Sequence, residues 1–273
     1  MNATAGTARW RRLLRRQIVG PFARLVAGLV GKRRWLEFRW RQGALPTNAY
    51  YDALTGLIIR RLLDRDAVAV DIGCHRGEVL ELMLERLKNG RVAAFEPIPA
   101  RFAELAARFA DDDRVRLFKL ALSDRTGQSE FNLVISNDAY SGFRRRRYDR
   151  PIETDTTIIV DTDRLEDVLA RESMGPVRLI KIDVEGAELE VLRGAEAVLR
   201  ADRPAILFEH GPGAADIYGT TPDMLLDLLA GEHDYRVYRL GDWLAGRPAL
   251  DRASFVDEFH HGRHYFFLAL VGH

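Results

Sequence analysis

Residues 68–77, VAVDIGCHRG, form the stretch that decides the fold of this chain. The first three residues are apolar and predict a short buried β-strand, which Asp71 brings to an end. Gly73 and Gly77 then bracket a tight turn, because glycine tolerates positive φ and lets a ligand approach the backbone closely. The next segment, residues 78–87, predicts a helix whose free N–H groups face that turn. We therefore expect a small-molecule binding site at this point of the chain.

The glycine turn departs from the fingerprint of dinucleotide-binding proteins. In the pattern G-x-G-x-x-G, the second and third glycines would stand where this chain has His75 and Glu78. This argues against a pyrophosphate-bearing cofactor, although a nicotinamide-dependent dehydrogenase stays open as an alternative. An acid before the first glycine instead suits a ligand with a cationic or hydroxyl-bearing end, such as S-adenosylmethionine (SAM). His75 lies in the loop that would surround that ligand.

A second acid supports this interpretation. Residues 91–95, RVAAF, predict the next strand, and Glu96 closes it about twenty residues beyond the loop. Doubly wound folds place at this point the carboxylate that binds the hydroxyl groups of a ribose. Pro97 stops the strand beside that carboxylate, so Glu96 and Pro97 are both predicted to contact the cofactor.

The composition suits one α/β domain with an extension. The chain has 273 residues, of which 47% are hydrophobic and 30% charged, which is enough for one sizeable core. Its formal net charge is +1, yet residues 1–47 hold eleven of the 41 Arg and Lys residues and one of the 40 acids. We therefore predict a basic amphipathic helical extension over residues 1–47 and a main domain over residues 48–273.

The basic extension has several candidate partners. Amphipathic helices are predicted over residues 8–30, and residues 32–40 add a segment rich in bases and aromatic side chains. This composition predicts peripheral contact with an anionic membrane surface through residues 8–41. A helical cap on the main domain and the interface of a homo-oligomer are the alternatives. Nucleic acid is not an expected partner, because the acidic remainder of the chain would repel a phosphate backbone.

Cysteine content and hydropathy bear on the compartment. Cys74 is the only cysteine, so no intrachain disulfide can form and a reducing compartment fits. Its position inside the glycine loop favours a small buried side chain over a nucleophile. The chain holds no apolar run of about eighteen residues, and its start lacks a signal-peptide pattern. These features predict a cytoplasmic protein, which the basic extension could hold at the inner face of the membrane.

Strands and helices alternate along the main domain. Residues 115–122 predict a third strand, which Ser123-Asp124 closes where the adenine of a nucleoside ligand could be held. The alternation predicts a mostly parallel, doubly wound sheet, and residues 265–271 predict a final strand at an antiparallel edge position.

An insertion interrupts this alternation. Residues 130–135 and 156–160 predict added strands, and a polar segment with four consecutive arginines, Arg144 to Arg147, lies between them. The arginines form either a solvated surface or a clamp for a substrate that carries phosphate or carboxylate. In both cases the insertion is predicted to form part of the substrate wall.

Acidic residues close the five successive predicted core strands. Ligands of open α/β sheets bind at the carboxyl ends of the strands, near the switch in strand order. An arrangement of this kind is improbable as a surface accident, although any one acid could be a helix cap. The five acids are Asp71, Glu96, Asp124, Asp183 and Glu209.

The strand-end motifs match a known family. In order and spacing, DIGCHRG, FEPIP, LALSD, KIDVEGAELEVLRG and RPAILFEH resemble the FkbM family of SAM-dependent methyltransferases. The resemblance covers about residues 66–272 and is most specific in the long KIDVEGAELEVLRG string. It implies a Rossmann-like class I methyltransferase sheet and O-methylation of a hydroxyl on a sugar, glycan or other natural product. The family loop commonly reads DIGAN, where this chain has Cys74 and His75.

The resemblance also implies roles for the strand-end residues. The amino-acid end of SAM would lie at Asp71 and the backbone of residues 73–77, its ribose at Glu96, and its adenine at Ser123 and Asp124. A non-catalytic SAM-binding scaffold at a membrane is the alternative to an enzyme.

The candidate catalytic residues follow the fourth and fifth predicted core strands. Asp183 is the first choice for the base that takes the proton of the acceptor hydroxyl, and Glu185, Glu209 and His210 are the nearby alternatives. Asp183 and Glu209 could instead hold a divalent cation that lowers the pKa of the hydroxyl. The histidines at 260, 261 and 264 have the spacing of no standard metal site and predict a surface turn.

Overall fold

The computed structural model describes residues 31–148 and 153–272. The chain forms two compact units with their boundary between Ile58 and Ile59. The first unit holds α1 (Lys32–Arg41) and most of α2 (Thr47–Leu62), so the predicted boundary at residue 47 coincides with the start of a helix that continues into the second unit. The predicted helices over residues 8–30 lie outside the described residues.

The second unit contains the remaining helices and all the described strands. Its strands, in chain order, are β1 (Val68–Ile72), β2 (Arg91–Phe95), β3 (Val115–Phe118), β4 (Ala121–Leu122), β5 (Gly127–Val134), β6 (Asp155–Asp163), β7 (Val177–Ile182), β8 (Ala205–Glu209), β9 (Tyr235–Arg239) and β10 (Phe266–Val271). Its helices are α3 (Glu78–Arg86), α4 (Pro99–Arg108), α5 (Leu165–Arg171), α6 (Glu188–Arg193), α7 (Glu196–Ala201), α8 (Pro222–Leu226), α9 (Leu240–Leu244) and α10 (Arg252–His261).

Several helix starts have a local cause in the sequence. Proline opens both α4 and α8, where its missing N–H costs no hydrogen bond. The Thr221 side chain accepts a hydrogen bond from the Met224 N–H, and the Asp251 side chain accepts one from Ser254, so α8 and α10 begin with side-chain caps. Among the described helices, none combines the length and the low polarity that crossing a lipid bilayer requires.

Seven strands form one large sheet in the order β3-β2-β1-β7-β8-β10-β9. The first five of these pair in parallel, and β10 pairs antiparallel with both of its neighbours. This confirms the predicted mostly parallel, doubly wound sheet with an antiparallel last strand. The last strand is not at the edge, however, because β10 inserts between β8 and β9.

The core lies on both faces of this sheet. Val70, Ile180 and Ile206 are register neighbours on one face of the sheet, and all three are fully buried. Ala69, Leu179 and Ala205 are register neighbours on the opposite face, and they are buried as well. Helices must therefore cover both faces, which is why these strands appear in the sequence as continuous apolar runs. The strand order reverses between β1 and β7, so the loops after these two strands diverge and leave space for a ligand.

The prediction of the third strand is wrong in one respect. Residues 115–122 do not form one strand, because β3 ends at Phe118 and β4 pairs with β6 in a separate three-stranded sheet of order β4-β6-β5. Ser123 and Asp124 therefore follow a strand of the small sheet. The predicted added strands are confirmed as the antiparallel pair β5 and β6, which lies on either side of the insertion.

Candidate functional site

Four of the five strand-end acids reach the same edge of the large sheet. Asp71 is the penultimate residue of β1, Glu96 follows β2, Asp183 follows β7 and Glu209 ends β8. These strands run parallel, so their carboxyl ends meet at the switch in strand order. Asp124 is the exception, because it is exposed and follows β4 of the small sheet.

The glycine loop, residues 73–77, packs directly against the end of β7. Gly73 has a φ of 70°, and a Cβ there would lie 2.0 Å from the carbonyl oxygen of Asp183. Only glycine fits this approach. The N–H groups of Gly73 and Cys74 both donate to the Phe95 carbonyl, at 3.1 and 3.0 Å, which fixes the loop to the end of β2.

Glu96 is buried behind this loop. One carboxylate oxygen accepts a hydrogen bond from the His75 N–H at 2.8 Å, and the other accepts one from the Ile98 N–H at 2.9 Å. Burial raises the pKa of Glu96 to about 7, although both of these bonds oppose the shift. Each oxygen keeps a lone pair for a ligand hydroxyl. Pro97, half-buried, lies between the two bonded segments.

The insertion contacts the glycine loop through an acid that the sequence analysis did not single out. Asp138 lies in a short 3₁₀ turn, Asp138–Tyr140, and its Oδ1 is 3.0 Å from Nε2 of His75. Arg101 of α4 also donates to this carboxylate. His75 is thereby held from both ends, since its backbone binds Glu96 and its ring binds Asp138.

A cavity of about 110 Å³ opens beside Ser123. The Ser123 side chain is buried, and its N–H donates to the Asp163 carbonyl at 3.0 Å. The cavity is lined by hydroxyl, aromatic and charged side chains, so it offers both stacking surfaces and hydrogen-bonding groups. The residues around it are Ser123, Arg125, Ser129, Phe143, Arg144, Thr162, Glu190 and Tyr218.

Three acids form a cluster on the other side of the switch. One carboxylate oxygen each from Asp183, Glu185 and Glu209 lies within 4.8 Å of the other two. Glu185 reaches this position from the turn after β7, where its φ is 56°. The turn is held by buried Glu188, whose carboxylate accepts from the N–H groups of Val184 and Gly186 at 3.3 and 3.1 Å.

Burial and the crowding of carboxylates raise the pKa values of Glu185 and Glu209 in this acid cluster. Burial raises the pKa of Glu209 well above its ordinary value, and the nearby charges of Asp183 and Glu185 raise it further. Burial also raises the pKa of Glu185 to about 8, against the opposing charge of Arg146. Burial and the neighbouring carboxylates thus favour retention of protons within the cluster, whereas Arg146 favours the ionised form of Glu185.

One of the four consecutive arginines reaches this cluster. Arg146 forms an ion pair with Glu185, and its guanidinium lies 4.5 Å from the ring centroid of Tyr140. Both side chains of the pair are largely buried, with exposures of 12% and 13%. The run is thus not a uniform solvated surface, although Arg145 and Arg147 are 65% and 64% exposed.

His210 does not join the acid cluster. Its ring packs against Phe255 and Phe259, with centroid distances of 5.7 and 4.8 Å. Neither ring nitrogen has a hydrogen-bond partner among the described residues, and burial lowers the pKa of His210 to about 4. His210, which follows the last residue of β8, is therefore a neutral residue packed between two aromatic rings, and its role as a catalytic alternative stays a prediction that this packing does not support.

Sequence reasoning also missed a buried lysine. Lys181 of β7 has a side-chain exposure of 5% and lies between the acids of β1 and β7. The available signal was a charged residue inside an apolar strand. Cys74, by contrast, is buried as predicted, and burial raises the pKa of its thiol well above the ordinary value. The thiol is therefore unreactive.

Comparison with known proteins assigns this arrangement to a family. The family model described as methyltransferase FkbM domain matches residues 71–237, from the end of β1 into β9. The chain belongs to the FkbM methyltransferase family. This assignment decides against the nicotinamide-dependent dehydrogenase and confirms the resemblance in the sequence motifs.

Two curated relatives and one solved structure show what the chain is similar to. The 2-O-methyltransferase NoeI of Sinorhizobium fredii is 29% identical over 162 residues, which cover 54% of this chain and 64% of NoeI. The AMB antimetabolite synthetase AmbE of Pseudomonas aeruginosa is 27% identical over 211 residues, or 64% of this chain and 10% of AmbE. The FkbM methyltransferase structure from Methylobacillus flagellatus is 17% identical, covers 76% of this chain and 44% of its own, and has a TM-score of 0.46.

Proposed function

We propose that this FkbM-family chain is a SAM-dependent O-methyltransferase that acts on a hydroxyl of a saccharide or related polyhydroxylated product. The observation that carries the proposal is the pairing of two acidic sites across one switch in strand order. Asp71 and Glu96 stand at one side of it, and the acid cluster stands at the other. We name these sides the cofactor end and the acceptor end.

The residues of the cofactor end suit SAM. Within the described residues, neither carboxylate oxygen of buried Asp71 has a hydrogen-bond partner, and Oδ1 lies 3.5 Å from the Lys181 ammonium, so the carboxylate keeps lone pairs for a ligand group. The absence of a side chain at Gly73 lets the loop backbone pack against the Asp183 carbonyl, which keeps the loop at the switch in strand order. Glu96 has lone pairs for ribose hydroxyls, and the cavity beside Ser123 offers stacking and hydrogen-bonding groups to adenine. When bound, SAM supplies an electrophilic methyl group.

The acceptor end suits a hydroxyl that must lose a proton. A sugar hydroxyl is a poor nucleophile until a base takes its proton, which is worth about 10²–10⁴-fold in rate. Asp183 is the base in this proposal, because its side chain is 35% exposed and so open to a substrate. Glu209 lies beside it with a raised pKa, and in its protonated form it can donate a hydrogen bond that orients the acceptor or the Asp183 carboxylate, while Glu185 is held by Arg146.

A divalent cation at the acceptor end is the second candidate mechanism. Asp183, Glu185 and Glu209 each offer one oxygen within a span that an ion could bridge. The raised pKa values of Glu185 and Glu209 disfavour metal binding, because a metal must displace the protons that these groups hold, and Arg146 already pairs with Glu185. We therefore expect the rate of methyl transfer to be unchanged after treatment with EDTA. Complete loss of methyl transfer in EDTA, with recovery when Mg²⁺ is added, would favour the cation mechanism.

Two observations support the acceptor class. NoeI, one of the similar proteins, is a 2-O-methyltransferase. In addition, clustered carboxyl groups form good hydrogen bonds with neighbouring hydroxyls of a polyol. The arginines of the insertion extend this proposal to acceptors that also carry an anionic group, for which Arg144 at the cavity mouth is the candidate contact.

Transfer of a labelled methyl group tests the proposal. The full chain is incubated with methyl-labelled SAM and a panel of neutral saccharides, sugar phosphates, uronic acids, polyketide-type alcohols and simple amines. Labelled methyl ethers, located by mass spectrometry, are the expected products. Labelled N-methyl products, or SAM binding without transfer to any hydroxyl, would contradict O-methylation, and the latter result would favour the non-catalytic scaffold.

A further inference from the structure

Lys181 occupies an unusual place for a charged residue. It is paired in register with Asp71 of β1 and with Leu207 of β8, in the middle of a sheet that is covered on both faces. Its side-chain exposure is 5%. Lysine is almost never fully buried unless it is paired, so its partners indicate its role.

The Lys181 ammonium has four oxygen neighbours around the switch in strand order. It donates to the Gly73 carbonyl at 2.7 Å and lies 3.3 Å from the Ile72 carbonyl, so it fastens the start of the glycine loop. It also lies 3.5 Å from Oδ1 of Asp71 and 3.7 Å from Oδ2 of Asp183. One cation thus contacts the acid of the cofactor end and the proposed base of the acceptor end.

Asp71 depends on this cation more than Asp183 does. The Asp71 side chain is fully buried, whereas that of Asp183 is 35% exposed and reaches solvent. Two acids, Asp183 and Glu78, also lie close enough to repel the charge of Asp71. An unpaired buried carboxylate is costly, so an internal counter-ion is required if Asp71 is to meet a ligand as a carboxylate.

We propose that Lys181 is a positioning residue for the cofactor, acting as the internal counter-ion of Asp71 and as the fastening of the glycine loop. The proposal rests on the proposed function, because it takes SAM as the ligand of the cofactor end. The Asp183 N–H donates a hydrogen bond to the Ile72 carbonyl at 3.2 Å. The backbone at the start of the glycine loop is therefore joined directly to the backbone of the acceptor end.

Calorimetric titration of SAM into variants of the full chain tests the role of Lys181. Lys181→Met removes the charge and keeps the length, and we expect the Kd for SAM to rise at least tenfold. Lys181→Arg keeps the charge and should stay within about threefold of the wild type. The double variant Lys181→Met with Asp71→Asn should lose less affinity than the sum of the two single losses, because contacting residues give non-additive effects.

The outcomes separate a positioning role from a structural one. Thermal unfolding of each variant is measured in parallel, and a Kd for Lys181→Met equal to that of the wild type would overturn the proposal. Equal losses in Lys181→Met and Lys181→Arg, or additive losses in the double variant, would overturn it as well. If Lys181→Met does not fold, the proposal is tested by two other comparisons of the Kd for SAM. The charge-preserving Lys181→Arg is compared with the wild type, and the neutral double variant is compared with Asp71→Asn. If the wild type itself binds no SAM, the result contradicts the proposed function rather than the role of Lys181.

A separate observation concerns the first unit. On α1, the exposed residues Arg34, Phe38 and Arg41 follow helical spacing, while Leu36 is buried. Phe38 is 56% exposed, and Trp35 stacks beside it with ring centroids 6.1 Å apart. A basic face with aromatic side chains is thus presented to the surroundings.

The charge of α1 is strongly positive. The helix carries five bases, and its one acid, Glu37, is paired with both Arg33 and Arg41 at 2.8 and 2.7 Å. Anionic lipid head groups attract nearby basic side chains, and amphipathic aromatic side chains enter the interfacial layer. From this charge complementarity we propose that α1 docks on an anionic lipid surface.

Vesicle co-sedimentation of the full chain tests this docking. We expect binding to phosphatidylcholine vesicles with one quarter phosphatidylglycerol, and much weaker binding to pure phosphatidylcholine. Arg34→Glu with Phe38→Ser should reduce binding at least fivefold, whereas Arg200→Glu, an exposed arginine of α7, should leave it near the wild type. Binding that the α1 variant leaves unchanged would overturn the proposal. Loss of a dimer in that variant, without any vesicle binding, would identify a subunit interface instead.

Discussion

The cofactor end and the acceptor end use the same element, an acid at a strand tip, in different surroundings. Glu96 is held by two backbone N–H groups, and Asp71 is paired with one buried lysine. The acceptor end instead has three carboxyl groups within 4.8 Å, of which Glu185 pairs with Arg146 of the insertion and Asp183 lies 3.7 Å from Lys181.

This difference separates a site fixed by local backbone from one assembled by distant segments. The partners of Glu96 lie in the glycine loop and next to the strand it follows, so neighbouring motifs determine its geometry. Arg146 and Glu185 are 39 residues apart, one in the insertion and the other in the turn after β7. We therefore expect substitutions at the two ends to affect different measured quantities.

The largest expected effect is loss of turnover at the acceptor end. Asp183→Asn keeps the shape and removes the base, so methyl transfer should fall by about 10²–10⁴-fold while the Kd for SAM changes little. Initial rates with the acceptor found in the panel, and calorimetry with SAM, measure the two quantities. Glu130→Gln, at an exposed position of β5, is the matched control. A rate near that of the control would remove Asp183 as the base.

The second effect concerns affinity at the cofactor end. Glu96→Ala removes the acceptor of two backbone hydrogen bonds and of the ribose hydroxyls, so the Kd for SAM should rise by about 10–100-fold. Calorimetry measures this change directly, with thermal unfolding as a check on the fold. Unchanged affinity in a folded variant would show that the ribose lies elsewhere.

The third effect is a pH dependence of stability that originates largely in the acceptor end. Burial raises the pKa of Glu185 to about 8 in the folded chain, above the ordinary value of 4.5 in the unfolded chain. The folded state therefore binds the proton more tightly, and this stabilisation is present below pH 4.5 and is lost as the pH rises through 8.

Thermal unfolding without ligand checks this sign. Between pH 5.5 and 8.5 we expect Tm to fall by roughly 5 °C, and Glu185→Gln should make the fall smaller. Buried Glu96 and Glu188, whose pKa values are both raised to about 7, leave part of the slope in the variant. A Tm that rises over this range, or an identical slope in the variant, would contradict the assignment.

The smallest expected effect is at His210. Because its ring packs between Phe255 and Phe259, His210→Phe should keep this packing and change neither the rate nor the Kd for SAM by more than about threefold. The same assays measure both quantities. A large loss of methyl-transfer rate with unchanged stability would show that His210 takes part in catalysis.

The sequence predicts the parallel sheet and the cofactor end well for a physical reason. Strands buried on both faces are apolar runs, and the acids and glycines that follow them are set by adjacent backbone. Asp71, Gly73 and Glu96 lie where local patterns place them. The same local logic identifies the antiparallel strands on either side of the insertion, because they alternate.

Long-range pairing accounts for what the sequence did not reveal. Nothing in residues 115–122 indicates that β4 leaves β3 to pair with β6, and nothing in residues 265–271 places β10 between β8 and β9. The Arg146–Glu185 pair and the orientation of His210 likewise depend on segments that meet only in the folded chain. Lys181 was visible as a charge in an apolar strand, but its partners were not.

A crystal structure of the full chain with S-adenosylhomocysteine tests the central claim most directly. We predict the amino-acid end against Asp71 and the glycine loop, the ribose hydroxyls on Glu96, and the sulfur facing the cluster of Asp183, Glu185 and Glu209. A ligand bound on another face of the sheet, or with its sulfur turned away from that cluster, would contradict the account.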